Sequence, residues 1–249
     1  MKEIIFVGEQ CFDVFIYGDT PRLAPEGPVP ILQPTKEIFN NGMVMNVVNN
    51  FVSLDSSYTT RVFTNDDMIT KTRYVDEKTN TLLLRVDEND KSKRIDLTDF
   101  EEIDYSKVEA IVISDYNKGF LTEEDIEFIS KKHSIVICDT KKKLGDWCKN
   151  LKFIKLNRTE YNNNKEFIEK NDWILDKLII TLDKDGCMYN GNIYPTERVE
   201  IMDISGAGDT FVAGFTKKYL ETKDVEQSIK FGNECSLKVV QQKGVSIVK

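Results

Sequence analysis

The chain has 249 residues, 40% apolar and 31% charged, which fits one folded globular domain and argues against disorder. A net charge of -8 and a pI near 5.0 repel polyphosphate, so the overall field excludes nucleic acid and anionic membrane surfaces as partners. Five scattered cysteines exclude a disulfide framework or a zinc cluster; with no secretory signal and no run near the roughly 20 apolar residues of a membrane helix, they predict a cytoplasmic location.

In chain order, β-branched runs predict buried strands at Ile4 to Gly8, Tyr58 to Thr64, Ala110 to Ser114, Ile135 to Asp139, Phe153 to Leu156 and Leu178 to Leu182. Helical patterns follow at Met43 to Leu54, Thr122 to Lys132, Arg158 to Lys170, Ala207 to Glu221 and Val225 to Gln242. This alternation predicts an α/β fold over residues 1–249 as a single domain. Two stretches, 12–34 and 70–95, alternate apolar and polar residues around turn-forming clusters and predict a small β lid with one wet face. Between Leu54 and Thr70 there is room for one strand only, which predicts a reduced layer there.

Asp203-Ile-Ser-Gly-Ala-Gly-Asp-Thr-Phe211 carries the most chemical information, because its glycines open directly into an apolar helix. Unpaired amides at a helix start make an anion site, and glycines let a phosphate approach the backbone. Where a Walker A loop would place Lys-Ser/Thr, this segment places Asp209, a carboxylate able to take a proton from an attacking hydroxyl beside the amides of Gly206, Ala207 and Gly208. The plainer alternative is a glycine turn with Asp209 complementing the helix dipole.

This segment resembles the D-T-x-G-A-G-D-x-F signature of PfkB-type carbohydrate kinases, with Ile204 in place of Thr. The resemblance implies a ribokinase-like three-layer sandwich with a mostly parallel central sheet, and ATP and Mg2+ as cofactors. It gives Asp209 the role of base and Gly206, Ala207 and Gly208 that of anion hole. Asn157-Arg-Thr-Glu160 is similar to the family's N-x-x-E element, which assigns Asn157 to the cofactor and Glu160 to the metal; a helix cap is the alternative. Thr181 and Asn233 fall where the family contacts the nucleotide, although Asp183 replaces a glycine beside Thr181. Asp13, Gly42 and Asn46 match the family's sugar-binding positions, with Met43 standing where a second glycine is usual.

Three stretches are similar to one branch, the heptose-7-phosphate kinases of ADP-heptose synthesis: 17–30, 70–87, and Ser114-Asp-Tyr-Asn-Lys-Gly119, where Asn117 replaces a glycine. They point to Arg22, Lys118 and, from Asp139-Thr-Lys141, Lys141 as contacts for a sugar phosphate. The implied activity is transfer of the ATP γ-phosphate to a sugar or sugar-phosphate hydroxyl, foremost the anomeric hydroxyl of heptose 7-phosphate. A kinase for another sugar and a non-catalytic sugar-phosphate or nucleotide sensor are the alternatives. The expected partners are the small sugar or sugar phosphate and a second copy meeting through the lid.

Overall fold

The computed structural model describes residues 2–242 and 244–248. In chain order the elements are β1 (Glu3–Gly8), β2 (Gln10–Leu23), β3 (Pro30–Met43), α1 (Val44–Leu54), β4 (Thr59–Phe63), β5 (Thr70–Asp76), β6 (Thr81–Glu88), α2 (Thr98–Glu101), β7 (Val108–Asp115) and α3 (Glu123–Ser130). They continue with β8 (Val136–Thr140), β9 (Phe153–Asn157), α4 (Arg158–Asn163), α5 (Lys165–Glu169), β10 (Leu178–Thr181), β11 (Cys187–Tyr189), β12 (Asn192–Tyr194), α6 (Ala207–Thr222) and α7 (Val225–Val240). The main sheet has the order β12-β11-β10-β9-β8-β7-β1-β4, in which β4, β1, β7, β8, β9 and β10 run parallel and β11 is antiparallel to both of its neighbours, β10 and β12.

Its strands are apolar on both sides because helices cover both faces. On one face Ile4, Phe6, Ala110 and Val112 pack against α1 and α6, with Phe6 and Phe51 edge to face at 5.6 Å. Their neighbours Ile5, Val7, Ile111 and Ile113 point the other way, onto α2 and α3. Each such fully buried side chain contributes about 1.5–3 kcal/mol of transfer free energy. The result is the three-layer sandwich expected, and both helical layers are present. The stretch between Leu54 and Thr70 does supply only β4, which leaves that strand at the edge of the sheet.

A second sheet, β3-β2-β5-β6, forms the lid. It is longer than the 12–34 segment predicted, since β3 continues to Met43 and hands directly into α1. Residues facing each other across its ladders share a side. Asp13 lies opposite Asn40 and Lys71, and Arg73 opposite Phe15 and Arg85, on one face; Val14 opposite Phe39, and Tyr74 opposite Leu84, on the other.

Two further differences have local causes. The helix predicted over Arg158 to Lys170 is broken at Asn164, whose side chain accepts from Leu144 N–H at 2.8 Å and donates to Glu160 O at 2.8 Å. The β11–β12 hairpin is absent from the elements predicted above, although Asn190 and Gly191 both adopt positive φ and form the two-residue turn that such a dipeptide favours.

Candidate active site

The carboxyl ends of β1, β7, β8, β9 and β10 open toward one cleft, where sites form in parallel sheets. The start of α6 closes it. Gly206 adopts φ 80°, the left-handed region, and a Cβ there would lie 2.5 Å from Asn46 Nδ2, so a glycine is required for both backbone and space. Ala207 N–H donates to Ile204 O at 3.3 Å, and Thr210 N–H to Gly206 O at 2.9 Å. Between them, Gly208 and Asp209 N–H have no hydrogen-bond partner among the described residues, which leaves two amides for an anion at the helix start.

Asp209 is 4% exposed. Its Oδ2 accepts from Asn46 Nδ2 at 2.9 Å and its Oδ1 from the Tyr116 hydroxyl at 2.8 Å. Burial pushes its carboxyl up to about 6, against the pull of those two donors and of Lys155, with Asp139 adding to the rise. The group is ionised at neutral pH yet holds a proton well enough to accept one from a hydroxyl.

Beside it lies a cavity of about 440 Å³. It is lined by the polar Tyr116, Asp139, Lys141, Lys155 and Asp209 and by the apolar Val199, Ile201, Leu237 and Val240. Asn157, Thr181 and Asn233 line it as well. Thr181 donates weakly to Leu156 O at 3.4 Å, and Asn233 holds Tyr194 O at 3.1 Å, so both also brace the neighbouring backbone. Asn157 and Glu160 form a reciprocal capping box on α4, the plainer reading of N-x-x-E, and Glu160 also binds Lys141. Both Glu160 oxygens are thus engaged, Oε2 by Asn157 N–H at 2.7 Å and Oε1 by Asn157 Nδ2 at 2.7 Å and Lys141.

On the lid side, Asp13 pairs with Arg73, whose guanidinium stacks over Phe15 at 4.9 Å. Gly42 is a true close approach, since a Cβ there would meet Asp13 Oδ2 at 2.1 Å. Lys118 and Lys71 share Asp90, Lys71 at 3.2 Å. Arg22 departs from the expectation: it is exposed near the far end of β2, nine residues and therefore roughly 30 Å of strand beyond Asp13. A single bound sugar does not reach both.

The chain matches the family model for pfkB family carbohydrate kinases over residues 53–249. The chain belongs to the pfkB family of carbohydrate kinases. It is 30% identical to the bifunctional protein HldE of Helicobacter pylori (strain J99 / ATCC 700824) and 28% to that of Sulfurimonas denitrificans, covering 99% and 98% of this chain. It spans 64% and 62% of those relatives' length. The H. pylori alignment runs over 298 positions, so that relative carries dozens of residues within it that have no counterpart here. Among solved structures, a ribokinase from Thermotoga maritima (15% identity, TM-score 0.72, covering 98% of this chain and 95% of that one) shares the fold. So does phosphofructokinase-2 from Escherichia coli (15% identity, TM-score 0.74, 100% and 96%).

A pfkB kinase is a phosphotransferase, and three glycine positions of the family's motifs carry larger residues here without losing the glycine backbone. Met43, Asn117 and Asp183 have φ of 57°, 56° and 54°. Met43 is also 3% exposed and packs with Cys11 and Ile69 in the cluster that Tyr116 covers.

Asp139, Lys155 and Tyr116 are site residues that the motifs did not assign. Lys155 and Asp139 form a buried ion pair at 3.0 Å, each side chain 6% exposed, and Lys155 Nζ lies 3.0 Å from where a Gly208 Cβ would be. A lysine interrupting the apolar strand Phe153–Asn157 was its readable signal. Asp139 lines the cavity, and its Oδ1 is buried with no hydrogen-bond partner among the described residues. Among the described residues no cluster of three or more acidic, His or Cys side chains forms a closed metal cage. One unpartnered carboxylate oxygen fits magnesium, which keeps several waters and binds mainly through substrate phosphates.

Proposed function

We propose that the chain transfers the γ-phosphoryl group of ATP to a sugar-phosphate hydroxyl, with the anomeric hydroxyl of a heptose 7-phosphate as the leading acceptor. The observation that carries this reading is Asp209: a buried carboxylate at the free amides of α6, between the 440 Å³ cavity and the lid. The cavity suits the nucleotide, its apolar lining taking the base and its lysines the phosphates. Asp209 accepts the acceptor's proton as that oxygen bonds to the γ-phosphorus and the bond to ADP breaks. The Gly208 and Asp209 amides and Lys155 offset the charge that develops on the transferred group. Asp139, backed by the Lys141–Glu160 pair, would hold magnesium, which neutralises phosphate charge when bound.

The acceptor reading draws on the lid's inner face, where Asp13 offers hydrogen bonds to hydroxyls, and on Asn46 of α1 beside Asp209. Lys71 and Lys118, now held by Asp90, offer charge to a phosphate. It draws also on the likeness to HldE proteins. A different sugar is the second reading, favoured by Met43, whose side chain packs in the cluster beneath Tyr116 where the family's pattern has a glycine. Incubation with ATP, Mg2+ and heptose 7-phosphate followed by 31P NMR tests the first: a new anomeric phosphate supports it, and consumption only of another sugar in a panel replaces it.

The lid's outer face offers Phe39 and Leu84, 63% and 56% exposed, next to Phe12. We propose that it meets the same face of a second copy, so that Phe39→Glu lowers the sedimentation coefficient of the wild-type species.

A further inference from the structure

Tyr116 is held at the base by a single buried residue. Glu9, fully buried between β1 and β2, accepts Tyr116 N–H on Oε2 at 2.8 Å, and Lys118 N–H at 2.8 Å and Phe120 N–H at 3.4 Å on Oε1. No cation pairs with it among the described residues. Its carbonyl accepts Val44 N–H at 2.9 Å, at the first residue of α1, the helix that carries Asn46. Glu9 therefore sets both the loop and the helix whose side chains engage Asp209.

The two donors to Asp209 are not equally fixed. Asn46 is locked in turn by Asn50, whose Nδ2 binds Asn46 Oδ1 at 2.9 Å and whose Oδ1 accepts Val248 N–H at 2.9 Å. The Tyr116 hydroxyl makes no other hydrogen bond among the described residues, and its ring lies in the cavity wall with Lys141 Nζ 5.5 Å above it. An acceptor hydroxyl must come within about 2.6–3.2 Å of the carboxylate to give up its proton, and each oxygen already accepts one donor, so the hydroxyl competes for the side that Tyr116 holds at the cavity wall. The less restrained donor is the one that yields.

We infer that Tyr116 guards the base: its hydroxyl holds Asp209 Oδ1 until the acceptor's hydroxyl displaces it. While it stays in place, water is denied the proton acceptor it needs to attack the γ-phosphorus, expel ADP and leave its proton on Asp209. Tyr116 thus acts through Asp209 as a positioning residue and couples phosphoryl transfer to arrival of the sugar. The inference rests on the role proposed for Asp209. The other charged or titratable groups facing that carboxylate are Asp139 on β8, Lys141 after it, Lys155 on β9 and Cys11 on β2.

Neither test needs the acceptor to be known. The Asp209 carboxyl is titrated by 13C NMR, and ADP release from ATP and Mg2+ is measured with no sugar present, in wild type, Tyr116→Phe and Asp209→Asn. Loss of one hydrogen bond to the carboxylate in Tyr116→Phe moves its midpoint up by about one pH unit. Acceptor-free hydrolysis at pH 8 then rises roughly ten-fold. An unmoved midpoint, or a moved midpoint without faster hydrolysis, overturns the guard. Hydrolysis that survives Asp209→Asn unchanged removes the base and the guard together, whereas hydrolysis abolished there but not raised by Tyr116→Phe overturns the guard alone. In the wild type itself, the Tyr116 Cζ resonance follows the Asp209 transition; a flat resonance overturns the contact without any variant.

Discussion

Replacing Asp209 by Asn should stabilise the protein at alkaline pH, which is the reverse of what loss of a structural carboxylate does. Burial pushes the Asp209 carboxyl up to about 6, from the ordinary aspartate value of 3.8. A raised folded-state value means that the carboxyl's stability contribution is greatest below about 3.8 and is lost as pH rises through about 6. Above both values the buried charge costs up to about 3 kcal/mol, from two pH units at about 1.4 kcal/mol each. Asp209→Asn removes that cost while keeping the shape and an acceptor for Asn46. Urea unfolding should find the variant more stable than wild type by about 1–3 kcal/mol at pH 8, with the gap closing by roughly half at pH 5. A gap that does not change with pH, or a variant less stable at pH 8, refutes the claim that burial raises this carboxyl.

Three other substitutions probe the neighbouring geometry. Gly206→Ala forces a Cβ into a left-handed residue and against Asn46 Nδ2, so it should lose about 1–2 kcal/mol in thermal unfolding and shift the acid limb of kcat/KM upward from near 6. Lys155→Met strands Asp139 in the interior and should cost about 3–5 kcal/mol, with the same upward shift of the acid limb because Lys155 lowers the Asp209 value. At Met43, whose φ of 57° and ψ of -134° suit glycine, both truncations empty the same contacts; Met43→Gly should nevertheless unfold at higher denaturant than Met43→Ala, by about 1–2 kcal/mol, the reverse of the order in ordinary backbone.

The parts of the site that a short segment specifies were legible in the sequence. Gly206, Gly208 and Asp209 announce a glycine turn that opens into a helix, because they stand directly before an apolar run, and α6 begins there. The lid's alternation likewise survives into strands β2, β3, β5 and β6. Contacts made across the sheet were not legible. The Tyr116 to Asp209 bond joins residues 93 apart, and the Glu9 bonds to Tyr116 and Lys118 span 107 and 109. No local pattern encodes them. Arg22 shows the opposite error: a motif match fixes residue type but not reach, and the length of β2 carries that side chain away from Asp13. Glu160 caps α4, the plainer of its two readings, and also pairs with Lys141 of the cavity wall.

The most direct measurement is ADP release from ATP and Mg2+ across a panel of sugars and sugar phosphates, wild type against Asp209→Asn, with nucleotide binding followed in both. The account predicts that one sugar phosphate turns over in the wild type, and that Asp209→Asn binds nucleotide but has lost that turnover. Nucleotide binding with no phosphorylation by the wild type, or turnover that persists in Asp209→Asn, would contradict it.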